Sequence, residues 1–366
     1  MQKDTLRLEH LVSLRGVAAW WVVFFHSLGL MMSAWPNIPL SFVKLISQGY
    51  LAVDFFFVLS GFIIFINYHG KFASEFRRNV LPFYWNRLTR IYPVHFLMLL
   101  AYLVLVSAFM FTSASRALPP AYGKQQFFEN LFLVQAWQAE STSWNVPSWS
   151  VSAEWFVYML FPFIAAGLTR FAGSMTAKII LVCTVFAVLA AVGSWQPEVG
   201  TIPVLMLPLV RATHEFLLGA IAGALFVHHR DQLIQAKFIL LFLMAAIVTA
   251  SVFANVSTHF FVPFLCFTSV CLFSVDESVI TRMLTMKWLV YLGEISYSTY
   301  MLHYFVKDCF KATLVKDLHA VDAFALSGSF LVVLLASALM HHIFEVPSQN
   351  FLRKRFFVSA GKSQPA

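Results

Sequence analysis

Charge is what this chain has least of. Asp, Glu, Lys and Arg make up only 11% of its 366 residues, against about a quarter in an ordinary soluble domain. That scarcity excludes a water-facing globular fold. Cysteine is equally sparse. Cys183, Cys266, Cys271 and Cys309 form no CxxC pair, and at least three lie inside apolar runs. This excludes a zinc ribbon or a disulfide framework and reads as packing. No small-residue cleavage site follows the first apolar run, and Asp4 and Glu9 flank its start. It is therefore expected to be a retained helix and not a removed signal peptide. There is no low-complexity linker, no second soluble domain and no clear internal repeat, which counts against transporter folds built from duplicated halves.

What is there is apolar. The composition is 60% hydrophobic with forty Phe and ten Trp, and the mean hydropathy is +0.75. These features predict an all-α, polytopic integral membrane protein. About ten transmembrane helices are expected, near 11–31, 48–68, 91–113, 150–168, 177–194, 204–228, 238–254, 257–275, 288–308 and 323–345. One membrane-embedded domain covers 1–366, with a core at 9–350 and a basic cytoplasmic tail at 351–366.

The net charge of +8 has a topological explanation, because no soluble basic domain exists to bind nucleic acid. With the N-terminus inside, the inner segments hold Lys3, Arg7, Lys71, Arg77, Arg78, Arg87, Arg90, Arg170, Lys178, Arg230, Lys237, Arg282, Lys287, Arg353, Lys354, Arg355 and Lys362. The outer segments hold Lys44, Arg116, Lys124, Lys307, Lys311 and Lys316. Seventeen against six obeys the positive-inside rule and puts both termini in the cytoplasm. The longest connections are a basic inner loop at 69–90 and an outer loop near 114–149, which carries Trp137, Trp144, Pro147 and Trp149.

Several polar residues interrupt the apolar spans, where they are costly unless they pair or line a polar path. In the first span Arg15 and His26 are eleven residues apart. That is close to three turns, so both lie on one stripe, roughly 16 Å apart along the axis. In the second span Asp54 precedes Gly61, which would let another helix approach closely; the plainer reading of Asp54 is a buried partner for an arginine. Arg87 and Arg90 share a helical face at the cytoplasmic mouth. They suit either a phosphate-rich ligand or lipid head groups. Trp149, Ser150 and Glu154 open the fourth span. Arg211 and Glu215 form an i, i+4 pair with His214 between them, which reads as mutual neutralisation. In the ninth span Ser296, Tyr300 and His303 share a face, beside Tyr297. Glu345 is expected to pair with a cytoplasmic-side arginine such as Arg15 or Arg90.

At these residues the chain resembles the membrane acyltransferase-3 family. The Arg15-to-His26 spacing is similar to its Arg-x10-His signature. Val53-Asp54-Phe-Phe-Phe-Val-Leu-Ser-Gly61-Phe62 resembles its second helix. Phe83-Tyr-x-x-Arg87-x-x-Arg90-Ile-x-Pro93 resembles its first cytoplasmic loop. Trp149-Ser150-Val-Ser-x-Glu154, Gly293-x-Ile-Ser296-Tyr297-Ser-x-Tyr300-x-x-His303 and Glu345-x-Pro347 complete the set. Val151 replaces a usual leucine, and Phe305 stands where proline is frequent, so the resemblance leaves the local bend near His303 open. The hydrolase-like C-terminal domain of some members is expected to be absent.

The resemblance implies a multi-pass protein of a bacterial inner membrane. It implies an acyl-CoA donor, usually acetyl-CoA, no metal, and a hydroxyl acceptor on a cell-surface or exported glycan or lipid-linked saccharide. His26 would be the general base, because imidazole titrates near neutral pH. Glu154 would orient His26 or the acceptor, and His303 or Tyr297 would stabilise the oxyanion. Arg15, Arg87 and Arg90 would hold the donor. Asp54, Trp149, Ser150 and Tyr297 would contact substrate. A covalent acyl-histidine route stays open at this point. So do two other classes, a secondary transporter of a polar solute and a non-catalytic channel or assembly subunit.

Overall fold

The computed structural model describes residues 8–112, 120–138, 143–171, 173–195, 198–199, 202–203, 207–253, 258–315, 317 and 320–359. Lys3, Arg7, Arg116, Lys316 and Lys362 lie outside these, as does the end of the expected tail, 360–366.

Apolar runs in lipid must satisfy their backbone groups internally, and helices do so locally. Sixteen helices result among the described residues. They are α1 (Glu9–Ala34), α2 (Leu40–Ser47), α3 (Ala52–Ser74), α4 (Phe76–Thr112), α5 (Lys124–Leu131), α6 (Trp149–Arg170), α7 (Met175–Trp195), α8 (Pro208–His228), α9 (Arg230–Gln235), α10 (Lys237–Phe253), α11 (Thr258–Val275), α12 (Val279–Leu284), α13 (Lys287–Glu294), α14 (Ser296–Thr313), α15 (Ala323–Met340) and α16 (Val346–Ser359). A π-helical turn, His341–Glu345, joins the last two. The one strand pair among the described residues is a two-residue antiparallel ribbon, Glu198–Val199 with Ile202–Pro203.

Among the described residues, seven helical stretches are long and apolar enough to cross a membrane, and Lys237–Ala250 and Phe261–Val275 are shorter apolar helices. The expected span at 288–308 is two helices separated at Ile295, and the second continues to Thr313. The expected inner loop at 69–90 is helical except at Glu75. The 37-residue α4 runs through both Pro82 and Pro93. Each proline removes one backbone donor, and the helix persists through both. The tail is likewise helical to Ser359.

The helices fall into two compact units interleaved along the sequence. The first comprises Met1–Arg15, Val53–Leu81 and Phe156–Gly293. In it α8 packs against α7 and α11, and α11 against α10. The second comprises Gly16–Ala52, Pro82–Trp155 and Glu294–Ala366. There α14 packs along α15, and Trp85 of α4 stacks on Phe356 of α16 while its indole N–H donates to Leu352 O at 3.1 Å.

Two glycines set the approach of α3 to α8 in the first unit. A Cβ added at Gly219 would sit 1.8 Å from Val58 O, and one at Gly61 would sit 2.1 Å from Phe216 O. Both obstacles are backbone and cannot rotate away, so small residues are required where two helices meet this closely. Gly219→Ala is therefore expected to cost about 1–3 kcal/mol by overpacking. Gly167→Ala, with nothing within 4 Å of the new Cβ, should be neutral or slightly stabilising. Thermal unfolding of the two detergent-purified variants checks this, and equal midpoints would refute the close-packing argument.

Candidate functional site

Helices α1 and α14 carry two histidines of the second unit into contact. His26 Nδ1 lies 2.9 Å from His303 Nε2, with the rings stacked at 5.1 Å and 23°. The other nitrogen of His303, Nδ1, lies 3.2 Å from the Thr299 carbonyl one turn back on α14. A carbonyl only accepts, so Nδ1 of His303 carries the hydrogen. In a neutral imidazole Nε2 is then an acceptor. The donor across the 2.9 Å contact must be Nδ1–H of His26. This leaves the lone pair of His26 on Nε2, which has no hydrogen-bond partner among the described residues. His303 is buried and His26 half-buried.

Tyr304 closes one side of this pair, its ring perpendicular to His26 at 5.1 Å. The ammonium of Lys307 sits 3.1 Å from the centroid of the Tyr304 ring and 3.6 Å from Asp308 Oδ1. Asp308 Oδ2 accepts the Tyr102 hydroxyl at 3.1 Å. In the preceding loop, burial and then the charge of Asp308 raise the pKa of Tyr122 and keep its phenol protonated.

A second cluster fixes the start of α14. Glu345 is fully buried and pairs with Arg90. It also accepts Ser298 Oγ at 2.6 Å and lies 3.2 Å from His341 Nδ1. This is the arginine partner expected for Glu345. The carboxylate occupies part of the Arg90 fork, and the guanidinium also lies 5.5 Å from the Tyr297 ring centre. The Tyr297 hydroxyl donates to Ile91 O at 2.5 Å.

Ser150 is buried and donates to Pro147 O at 3.1 Å; its oxygen lies 2.8 Å from the Tyr300 hydroxyl. Asn145 Nδ2 donates to Met301 O at 2.8 Å, so the end of the outer loop is tied to α14 at two points. Trp149 and Glu154 are half-buried at the start of α6, and Arg87 is half-buried on α4. These residues, with His26, Arg90, Tyr297 and His303, belong to the second unit.

Arg15 and Asp54 belong to the first unit. There Arg211 grips Asp54 with two N–H groups, Nε to Oδ1 at 2.6 Å and the terminal nitrogen to Oδ2. Glu215 stands 3.9 Å from the same guanidinium. The Arg211–Glu215 pairing read from the i, i+4 spacing is thus the weaker contact. The plainer reading of Asp54, an arginine partner, is the geometry observed.

Sequence reasoning missed Tyr304, Lys307 and Asp308. Their signal was positional: 307 is four residues beyond 303, on the same helical face. It was overlooked because the span was ended at 308 and Lys307 counted as an outer-segment charge. Both nitrogens of His303 are engaged, and the Tyr297 hydrogen is directed at a carbonyl, so neither presents a spare donor to an oxyanion.

Fold and site together define a polytopic membrane protein with a hydrogen-bonded histidine pair on its helices. The chain belongs to the acyltransferase-3 family: residues 11–341 match that family's acyltransferase domain. It is similar to "Acyltransferase MdmB" of Streptomyces mycarofaciens, 30% identical over 165 residues. The aligned stretch is 44% of this chain and 40% of that protein, so the chain spans about two-fifths of the curated relative it matches. No solved structure matches it. The family match contains both His26 and His303.

The Arg90–Glu345 pair yields a direct test. Removing one partner strands a buried charge, at a cost of about 3–5 kcal/mol, whereas replacing both by apolar residues is far better tolerated. Glu345→Leu should lower the thermal midpoint sharply, and Glu345→Leu combined with Arg90→Met should restore most of it. Additive losses in the double variant would show that the two residues act independently.

Proposed function

We propose that the chain is an acyl-CoA-dependent O-acyltransferase. It moves an acyl group, acetyl in the simplest case, from acyl-CoA on the cytoplasmic side to a hydroxyl of a cell-surface or exported glycan. The setting is a bacterial inner membrane with both termini inside. The observation that carries the reading is the directed chain from His26 through His303 to the Thr299 carbonyl. It leaves a basic nitrogen, Nε2 of His26, on a helix that belongs to an acyltransferase family.

A sugar hydroxyl is a weak nucleophile and needs a base. Nε2 of His26 takes its proton as the oxygen attacks the thioester carbonyl carbon. The C–O bond forms, the C–S bond breaks, and the departing CoA sulfur receives the proton from His26. The base is regenerated and the products are an ester and CoA. His303 positions His26: it accepts the Nδ1 hydrogen, fixes the tautomer and shares the charge when Nε2 is protonated. Within the same unit, Arg87 and the part of Arg90 not held by Glu345 suit the donor's phosphates, since guanidinium groups bind phosphate oxygens bidentately. Trp149 and Glu154, half-buried at the mouth of α6, suit the acceptor.

The test is transfer of label from radiolabelled acetyl-CoA to extracted surface glycans by the purified protein. Label in glycan with matching CoA release is expected. His26→Ala should reduce the rate by about 10²–10⁴-fold. His303→Gln, whose side-chain carbonyl can still accept from His26, should retain more activity than His303→Leu. Full transfer by His26→Ala would refute the base. Solute uptake without CoA release would favour a transporter.

A further inference from the structure

The histidine pair accounts for the proton but supplies no donor for the oxygen of the attacked carbonyl. His303 has both nitrogens engaged, and the Tyr297 hydroxyl is directed at Ile91 O. Attack on a thioester places negative charge on that oxygen, and a donor or cation already in place there is commonly the largest single contribution to such a reaction.

One ammonium stands beside the pair. Lys307 follows His303 by four residues on α14, so both lie on one helical face. The two line a common internal cavity of about 10 Å³ with Ser27 of α1 and Ser329 of α15, enough for roughly one water-sized group. The ammonium sits over the Tyr304 ring, 3.1 Å from its centroid. Lys307 and His26 flank this same ring, since its centroid also lies 5.1 Å from the His26 ring centre. Its counter-charge, Asp308, stands at 3.6 Å and also accepts the Tyr102 hydroxyl. An ammonium has three N–H donors. Asp308, at 3.6 Å, and the Tyr304 ring are its two neighbours, so at least one N–H remains for a ligand. Lys311, one turn further along α14, offers no acceptor to compete for it.

We propose that Lys307 is a further catalytic residue: its ammonium donates to the thioester carbonyl oxygen as His26 draws the proton from the acceptor. The carbonyl electron pair moves onto oxygen when the new C–O bond forms, and Nζ–H groups of Lys307 stabilise it. When the carbonyl re-forms, the C–S bond breaks and the sulfur leaves with the proton carried by His26. Lys307 keeps all its protons throughout. This rests on the reading of His26 as the base of an acyl transfer.

The experiment compares wild type, His26→Ala, Lys307→Met and Lys307→Arg as full-length protein in detergent, with acetyl-CoA and an acceptor glycan. Lys307→Met should lower kcat by about 10²–10³-fold with KM for both substrates within about threefold, since the interaction arises only in the transition state. Lys307→Arg, which keeps cationic donors, should recover part of the loss. Thermal midpoint and monodispersity are measured on each variant. A folded Lys307→Met with wild-type kcat, beside an inactive His26→Ala, would overturn the role of Lys307 and leave the acyl-transfer reading standing. Losses that track a lowered midpoint in both lysine variants would also overturn it. An inactive wild type, or an active His26→Ala, would instead fail the parent reading.

Discussion

The hydrogen bond between His26 Nδ1 and His303 Nε2 is the constraint from which the site's chemistry follows. An imidazole within apolar helices has few partners, and an unsatisfied ring nitrogen there is costly. Thr299 resolves this for one nitrogen of His303 with its carbonyl one turn back, and His303 resolves it for one nitrogen of His26. The result is directional. Hydrogens run from α1 to α14 and end on backbone, so the remaining lone pair is confined to a single atom. A carboxylate beside His26 would orient it equally well but would bring a full charge into lipid. A second neutral imidazole brings none.

That arrangement needs α14 to stay in register, and the second unit supplies three anchors. Glu345 takes Ser298 and Arg90 at the helix start, and the π turn at His341–Glu345 sets where that carboxylate projects. Wide turns of this kind often mark functional positions. The outer loop holds the middle through Asn145 to Met301 O and Ser150 beside Tyr300. Farther out, Tyr102 holds Asp308. The first unit uses a different device for the same cost: a two-pronged Asp54–Arg211 pair and glycine-lined contact between α3 and α8.

Much of this was legible in the residues. Charges in apolar spans are expensive, so Arg15, His26, Asp54, Arg211, His303 and Glu345 stood out without any structure. Their pairing was less legible. Spacing along one helix favoured Arg211–Glu215, but the stronger contact is from Arg211 to Asp54, far away in sequence. Hydropathy ended the ninth span at 308 because Lys307, Asp308 and Lys311 read as water-facing, although helical geometry continues through them. Prolines and basic residues made 69–90 read as a loop, yet α4 runs through Pro82 and Pro93. In each case composition was a guide to environment and a poor guide to where a helix stops.

The contrast between the two cations near α14 bears on mechanism. At the start of the helix Arg90 meets Glu345, a fully buried carboxylate supported by Ser298 and His341. That pair holds helices together and engages one prong of the Arg90 fork. Near the other end Lys307 meets Asp308 at 3.6 Å, a carboxylate already shared with Tyr102. The positive charge is less completely neutralised and lies one turn from His303. In a medium of low dielectric such a charge acts strongly over short distances. A structural pair gains nothing from being left this incomplete. A group that must answer a charge present only during reaction has to keep part of its bonding capacity in reserve, and a rigid aromatic platform such as Tyr304 holds it ready at little cost in reorganisation.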